Sequence, residues 1–295
     1  MILHKTVLLQ EALHYLDVRS NEHYIDATLG GGGHTESILD RNGPNGKVIA
    51  FDLDEDTIIR TQERLKRFGD RLAIIHDNFR HIAAASDYDL RISGILYDLG
   101  LSTDLIKSSG RGFSFLRDEP LDMRFSIEQR QTAAHIVNTL SEQKLADLIY
   151  RFGEERYSRR IARAIVAQRR KQKFSTTAEL VSIIERSVPP PYRRGRIHCA
   201  TRTFQALRVA VNDELGALEK SLSDAAGLLK AGGTLVVISF HSLEDRIVKL
   251  FFRVLKQQGS AEILTKKPVI AQEDEVSLNP NARSAKLRAI KILTL

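Results

Sequence analysis

Over its first hundred residues the chain alternates short runs of β-branched and apolar residues with amphipathic stretches. Residues 23–28 predict a strand that runs through glycines into a helix. Residues 47–52 predict a second strand, and residues 56–68 a helix with Ile58, Leu65 and Phe68 on one face. Residues 71–76 and 93–98 predict two further strands. This alternation marks an α/β fold, a parallel sheet covered by helices. Much later, residues 233–240 supply an unbroken apolar strand of the kind that lies at a sheet's centre, with both faces covered. Between residues 102 and 201 no comparable β pattern occurs, so the sheet is expected to be interrupted by a helical insertion.

Inside the insertion, Ser141 is placed to cap a helix carrying Leu145, Leu148, Ile149 and Phe152. Thr176 and Glu179 have the spacing of a capping box ahead of Leu180, Ile183 and Ile184. The Pro189–Pro191 run ends that helix, and residues 192–198 form a basic loop. From Thr203 onward, Phe204, Leu207, Val211, Leu215, Leu218 and Leu222 predict one long amphipathic helix closing at Gly232-Gly233. Residues 261–266 and 285–293 read as an antiparallel pair at the sheet edge. The expected division is therefore a sheet domain of residues 1–102 and 202–295, with an inserted helical domain of residues 103–201.

A length of 295 residues suits two domains, each with its own core. The single cysteine, Cys199, excludes a disulfide framework and a cysteine-based zinc site. Residues 1–18 mix Lys5, Gln10 and Glu11 among apolar positions, which is unlike a signal peptide. Apolar runs such as Leu235 to Ile238 are far too short to span a membrane. A soluble, cytoplasmic protein without membrane partners is expected. The formal charge of +7 is unevenly spread: residues 144–208 hold sixteen basic and five acidic residues, a local net of +11 that leaves −4 for the rest. A segment of that character is expected to face a polyanion.

The sharpest chemical signal is Asp26-Ala-Thr-Leu-Gly30-Gly31-Gly32-Gly33-His34, where a strand passes through glycines into a helix. Glycines let backbone approach a ligand closely, and Asp52, closing the next strand, stands where an acid commonly holds ribose hydroxyls. The dinucleotide fingerprint fails, since Thr35 or Glu36 occupies the place of its third glycine, and a P-loop Gly-Lys-Ser/Thr is absent. S-adenosyl-L-methionine has no phosphates to bind and needs an acid near its amino group, which Asp26 supplies, so it is the preferred cofactor. A glycine turn in an ordinary α/β protein is the bland alternative. Asp77-Asn78-Phe79, past the third strand, offers a carboxylate and a ring for adenine, against an ordinary loop with one buried Phe.

Asp98 ends the fourth strand at the same edge. An acceptor there can take a proton from an exocyclic amine and direct its lone pair at a methyl carbon, and a turn-fixing role is the competing reading. Arg111, Phe113 and Phe115 lie in a glycine-flanked loop that could stack a flipped base, although buried loop aromatics are the commoner case. His241 follows the last parallel strand and is a candidate to orient the base, or else a structural hydrogen-bonder; no metal-ligating set accompanies it. Arg159, Arg160, Arg163 and Arg170 share one helical face, and Arg193, Arg194, Arg196, His198 and Arg202 lie close to it in sequence. Together they are expected to bind phosphates.

Blocks in the same order along nearly the whole chain resemble the RsmH (MraW) family of 16S rRNA cytosine-N4 methyltransferases. They include the stretch His4 to Glu11, the glycine segment 26–35, Asp98-Leu-Gly, residues 111–115 and Pro120-Leu-Asp-Met-Arg124. Gly153-Glu-Glu-Arg156 and the blocks 200–208, 239–246 and 282–288 follow. The resemblance implies a class I (Rossmann-like) methyltransferase fold with an inserted helical domain. It also implies action on the cytosine at position 1402 of 16S rRNA in the small ribosomal subunit. By the same resemblance, S-adenosyl-L-methionine is held by Gly32, Gly33, His34, Asp52, Phe79 and Asp98. This chain departs from the family at Leu105, where Gln is frequent and contacts the cofactor, at Cys199 in place of Pro, and at Phe152 in place of Tyr.

Two other functions compete. Methylation of a DNA amine would need an Asp/Asn-Pro-Pro-aromatic motif, which Asp98-Leu-Gly-Leu replaces; a ribosome-assembly factor with a vestigial pocket would not bind the cofactor. The sequence leaves the oligomeric state open, with a homodimer among the options.

Overall fold

The computed structural model describes residues 6–100 and 109–294. The chain divides into two compact units, one comprising Met1–Ser102 with Leu215–Leu295 and the other Thr103–Glu214.

In the first unit, α1 (Leu9–Leu16) precedes β1 (His23–Asp26), α2 (Gly33–Arg41), β2 (Val48–Asp52), α3 (Glu55–Leu65), β3 (Leu72–His76) and β4 (Ile92–Asp98). The strands alternate their side chains between two buried faces. Ile25, Ile49, Phe51, Ile95 and Tyr97 enter one core, while Tyr24, Val48 and Leu96 enter the other. Burial on both sides is why these strands read as continuous apolar runs rather than as alternating ones. Their helices cross over between parallel neighbours, as in a doubly wound sheet.

The second unit is helical, with α4 (Ala133–Thr139), α5 (Glu142–Gly153), α6 (Ser158–Arg169), α7 (Thr177–Ser187), α8 (Pro190–Arg193) and α9 (Thr201–Asn212). Ser141 caps α5 by accepting from the Lys144 amide at 3.3 Å, and Thr176 and Glu179 form the reciprocal box at the start of α7. Ile136, Leu145, Ile149, Ile161, Ile165, Leu180, Ile184, Phe204 and Leu207 share this unit's core.

The chain then returns to the sheet through α10 (Glu214–Leu228) and β5 (Leu229–Ser239), followed by α11 (Ser242–Gln257), β6 (Ala261–Ile263), α12 (Glu273–Leu278) and β7 (Lys286–Ile292). The strand order is β3-β2-β1-β4-β5-β7-β6, with β7 antiparallel to both neighbours.

Two expectations differ from the structure. The single long helix from Thr203 is broken at Asp213, which sits in the left-handed region at φ 47°, a conformation that a short polar side chain tolerates. Its apolar stripe is shared between two cores: Phe204, Leu207 and Val211 belong to the helical unit, whereas Leu218 and Leu222 pack beneath the sheet. The division between units therefore falls at 214/215 rather than at 202. Gly232-Gly233 is not a helix end either. It lies within β5, where Gly232 takes φ +82° and a Cβ on Gly233 would come within 3.2 Å of the Ser93 carbonyl oxygen on β4.

Candidate active site and nucleic-acid interface

The order of strands reverses between β1 and β4, and ligands in open parallel sheets bind in the crevice beyond the carboxyl ends of such a pair. Asp26 is the last residue of β1, Asp52 of β2 and Asp98 of β4; Asp77 follows β3, and His241 comes two residues after β5. The sheet register thus brings to one edge residues that are up to 215 positions apart in sequence.

Asp26 is buried. Its carboxylate accepts from the Thr35 hydroxyl at 2.6 Å and the Thr28 amide at 3.1 Å. Burial pushes its pKa up to about 7 against the opposing pull of these bonds. Asp26 therefore ties the strand end to the first turn of α2. Asp52 closes the same turn from the other side, accepting from the amides of Gly30 (2.8 Å) and Asp54 (2.9 Å), and burial raises its pKa as well.

Two of the glycines are also required by the protein's own packing. Gly32 caps α2 at φ +73°, and a Cβ there would lie 2.5 Å from Thr61 Cγ2. At Gly33 a Cβ would lie 1.9 Å from Thr6 Oγ1. On the sides where a Cβ would project, the loop is closed by α3 and by the Thr6 side chain.

Asp98 is held by its own backbone, whose amide donates to Thr28 Oγ1 at 2.6 Å. The side chain retains 19% of its exposure and lies 3.6 Å from His34 Nδ1. Oδ1 is buried and has no hydrogen-bond partner among the described residues. Burial pushes the Asp98 pKa up to about 8, and the negative charges of Asp26 and Glu244 push in the same direction. An unsatisfied carboxylate oxygen in a low-dielectric rim is poised to accept a proton, and perturbed acids of this kind gather at functional sites.

His241 has an evident structural task. It N-caps α11, with Nδ1 accepting from the Glu244 amide at 3.4 Å, while Glu244 accepts from the amides of Phe240 (2.8 Å) and His241 (3.2 Å). Nε2 lies 3.2 Å from Glu244 Oε1 but is buried with no hydrogen-bond partner among the described residues. Of the two roles open to this histidine, the geometry displays the structural one.

Asp77 is engaged by the Asn78 amide (2.6 Å) and His81 Nδ1 (3.0 Å), and Phe79 packs edge-on to Tyr97 with centroids 5.7 Å apart. Both remain at the carboxyl edge, with Asp77 partly exposed. Leu105 lies outside the described residues.

In the helical unit, Arg111 donates from Nη1 to the carbonyls of Arg124 (3.1 Å) and Phe125 (2.8 Å), so its guanidinium braces a loop. Phe113 stacks on Phe125, and Phe115 stacks on His198 and meets Phe204 edge-on; both pack against the unit's core. These aromatics serve the core, which is the commoner role for a loop aromatic. Arg202 donates to the Glu154 carbonyl at 3.0 Å. Arg159, Arg160, Arg163, Arg170, Arg194 and Arg196 are exposed, and of these Arg163 approaches Glu142 at 3.4 Å.

The two basic stretches, separated in sequence, are stapled together. Tyr157 at the start of α6 meets Tyr192 in α8 with centroids 4.9 Å apart, and the Tyr192 hydroxyl donates to buried Glu155 at 2.5 Å. Sequence reasoning missed this staple, because no periodicity links positions 157 and 192. It also missed Glu244 as the partner of His241, although the capping-box spacing was available.

The sequence profile of the MraW methylase family matches residues 1–293. The chain belongs to the MraW methylase family. Relatives named ribosomal RNA small subunit methyltransferase H agree. One from Geotalea uraniireducens is 45% identical over 304 aligned residues, covering 97% of each chain. Another from Gloeothece citriformis is 49% identical over 290, covering 97% of this chain and 93% of its own. A solved protein from Clostridium thermocellum, named provisionally for rRNA methylation, shares the fold at TM-score 0.50 with 15% identity over 98% of both chains. Membership makes this a methyltransferase of the class I fold with S-adenosyl-L-methionine as its methyl donor. The rim fits that donor. A cationic sulfonium beside Asp98 would favour its ionised form, and Asp98 Oδ1 has no protein partner among the described residues to satisfy it.

Proposed function

We propose that this chain methylates the N4 exocyclic amine of a cytosine in 16S rRNA of the small ribosomal subunit, in the cytoplasm. The observation that carries the reading is Asp98, a rim carboxylate with an oxygen that has no partner among the described residues and a pKa raised to about 8. The relatives' names, which specify small-subunit ribosomal RNA, point to the same polymer.

Bound S-adenosyl-L-methionine supplies an electrophilic methyl group on a positively charged sulfur. The chain's residues do the rest. Ionised Asp98 accepts a hydrogen bond from the amine, which localises the nitrogen lone pair otherwise delocalised into the ring. As the N–C bond forms, Asp98 takes the proton that the nitrogen loses. Asp98 ionises more readily when a cation shares its rim, so its raised pKa in the free protein and its role as a base are compatible. Asp26 and Asp52 hold the turn between β1 and α2 in shape, and Glu244 fixes the start of α11 beside the same rim. The arginines of α6 and of the loop after α8 bind the RNA backbone, a sequence-independent grip with strong salt dependence.

The test is methyl incorporation into purified small subunits, naked 16S rRNA and DNA, with the product nucleosides identified by mass. The expected product is N4-methylcytidine from small-subunit RNA. Incorporation into DNA alone would overturn the reading.

A further inference from the structure

In the helical unit, Arg156 has no place in the assignments above, although it closes the Gly153-Glu-Glu-Arg156 block. Its guanidinium lies 4.9 Å from the centroid of Tyr157 and 4.9 Å from that of Tyr192. Behind the rings Glu155 is wholly buried, and its carboxylate accepts from the Tyr192 hydroxyl at 2.5 Å and the Tyr157 amide at 2.8 Å. The buried carboxyl group thus fixes both tyrosines, and the tyrosines fix the arginine. Arg156 is nevertheless exposed, and among the described residues no hydrogen bond or ion pair engages its N–H groups.

Side chains such as Arg159 and Arg160 are exposed without such a cradle and must be ordered when they bind a phosphate. Arg156 is ordered beforehand. Aromatic faces hold a guanidinium by cation–π attraction and leave its in-plane donors free, and those donors match two oxygens of a phosphate. An ammonium has neither the plane to stack nor the fork. The surrounding segment, with its net charge of +11, favours a polyanion over an isolated carboxylate.

We propose that Arg156 is a preformed receptor for one phosphodiester of the bound RNA, with Glu155 and Tyr192 as its positioning residues. This rests on the RNA-methylating reading above. Binding of a short single-stranded RNA to the full chain, measured across a salt series, tests it. Arg156→Ala is expected to weaken binding about tenfold and to reduce the salt slope by about 0.7, the value of one neutralised phosphate on a single strand. Arg156→Lys is expected to keep the slope, since the charge remains, yet to lose a comparable factor in affinity. A Lys variant that binds like the parent, or an Ala variant with slope and affinity both unchanged, would overturn the site. A parent chain that binds no RNA at all would instead remove the reading on which the site rests.

Discussion

Asp98 concentrates the chemistry at the scale of single residues. Asp98→Asn preserves shape but cannot accept a proton, and is expected to lower the methyl-transfer rate at least about 100-fold, the usual range for a lost general base, while leaving cofactor binding measurable by calorimetry. In the parent, kcat/KM reports the free protein and should rise with pH up to about 8, where Asp98 becomes ionised, and then level off. Stability should show the opposite trend. The native state holds a proton on Asp98 between the ordinary carboxylate value of 3.8 and about 8, whereas the unfolded chain has released it, so stability falls as pH climbs through that window. Asp26, with its pKa near 7, adds to the same slope. Denaturant melts at about pH 5 and about pH 8 should show a smaller difference for Asp98→Asn than for the parent.

At the scale of elements, helix ends do more than terminate helices. His241 is half-buried at the start of α11, and its two ring nitrogens both face Glu244. His241→Ala should cost about 1 kcal/mol, the ordinary value of a lost N-cap, and His241→Asn, a favoured cap, should recover most of it. If capping is the residue's whole role, the Asn variant methylates at nearly the parent rate; a stable but inactive Asn variant would give the imidazole a part in the chemistry. Elements were also where the sequence was most and least legible. The strands were plain because burial on both faces leaves little but apolar residues in them. The Ser141 and Thr176 caps were plain because capping is local chemistry within four residues. The break at Asp213 was hidden, because the apolar stripe continues across it in phase.

For the whole molecule, the separation of charge from chemistry is the organising feature. The acids that define the rim sit on the sheet unit, and the excess of arginine sits on the helical unit. Neutralising Arg159, Arg160 and Arg163 together should leave the fold intact, since all three side chains are exposed, and should weaken RNA binding. It should also reduce the salt slope by about 0.7 for each phosphate that is no longer neutralised. An unchanged slope would return that helical face to bulk solvent. No described helix is long and apolar enough to cross a membrane.

Sequence by itself determined whatever depends on neighbours along the chain. It specified the strands and most of the helices, the capping boxes, the glycine turn with an acid at each end, and the segment where positive charge accumulates. It also carried the family, through motifs kept in order. Only the tertiary structure decided which of these residues meet. Asp98 finds His34 and Glu244 because parallel pairing sets the ends of β1, β4 and β5 at a common edge, from which α2 and α11 start. Gly33 faces Thr6, Phe115 rests on His198, and Arg156 lies against Tyr192 because distant segments close on one another. A pattern of hydrophobic positions shows that a face is buried. It does not say against what, and burial against a particular partner is what moves a pKa or holds a side chain ready.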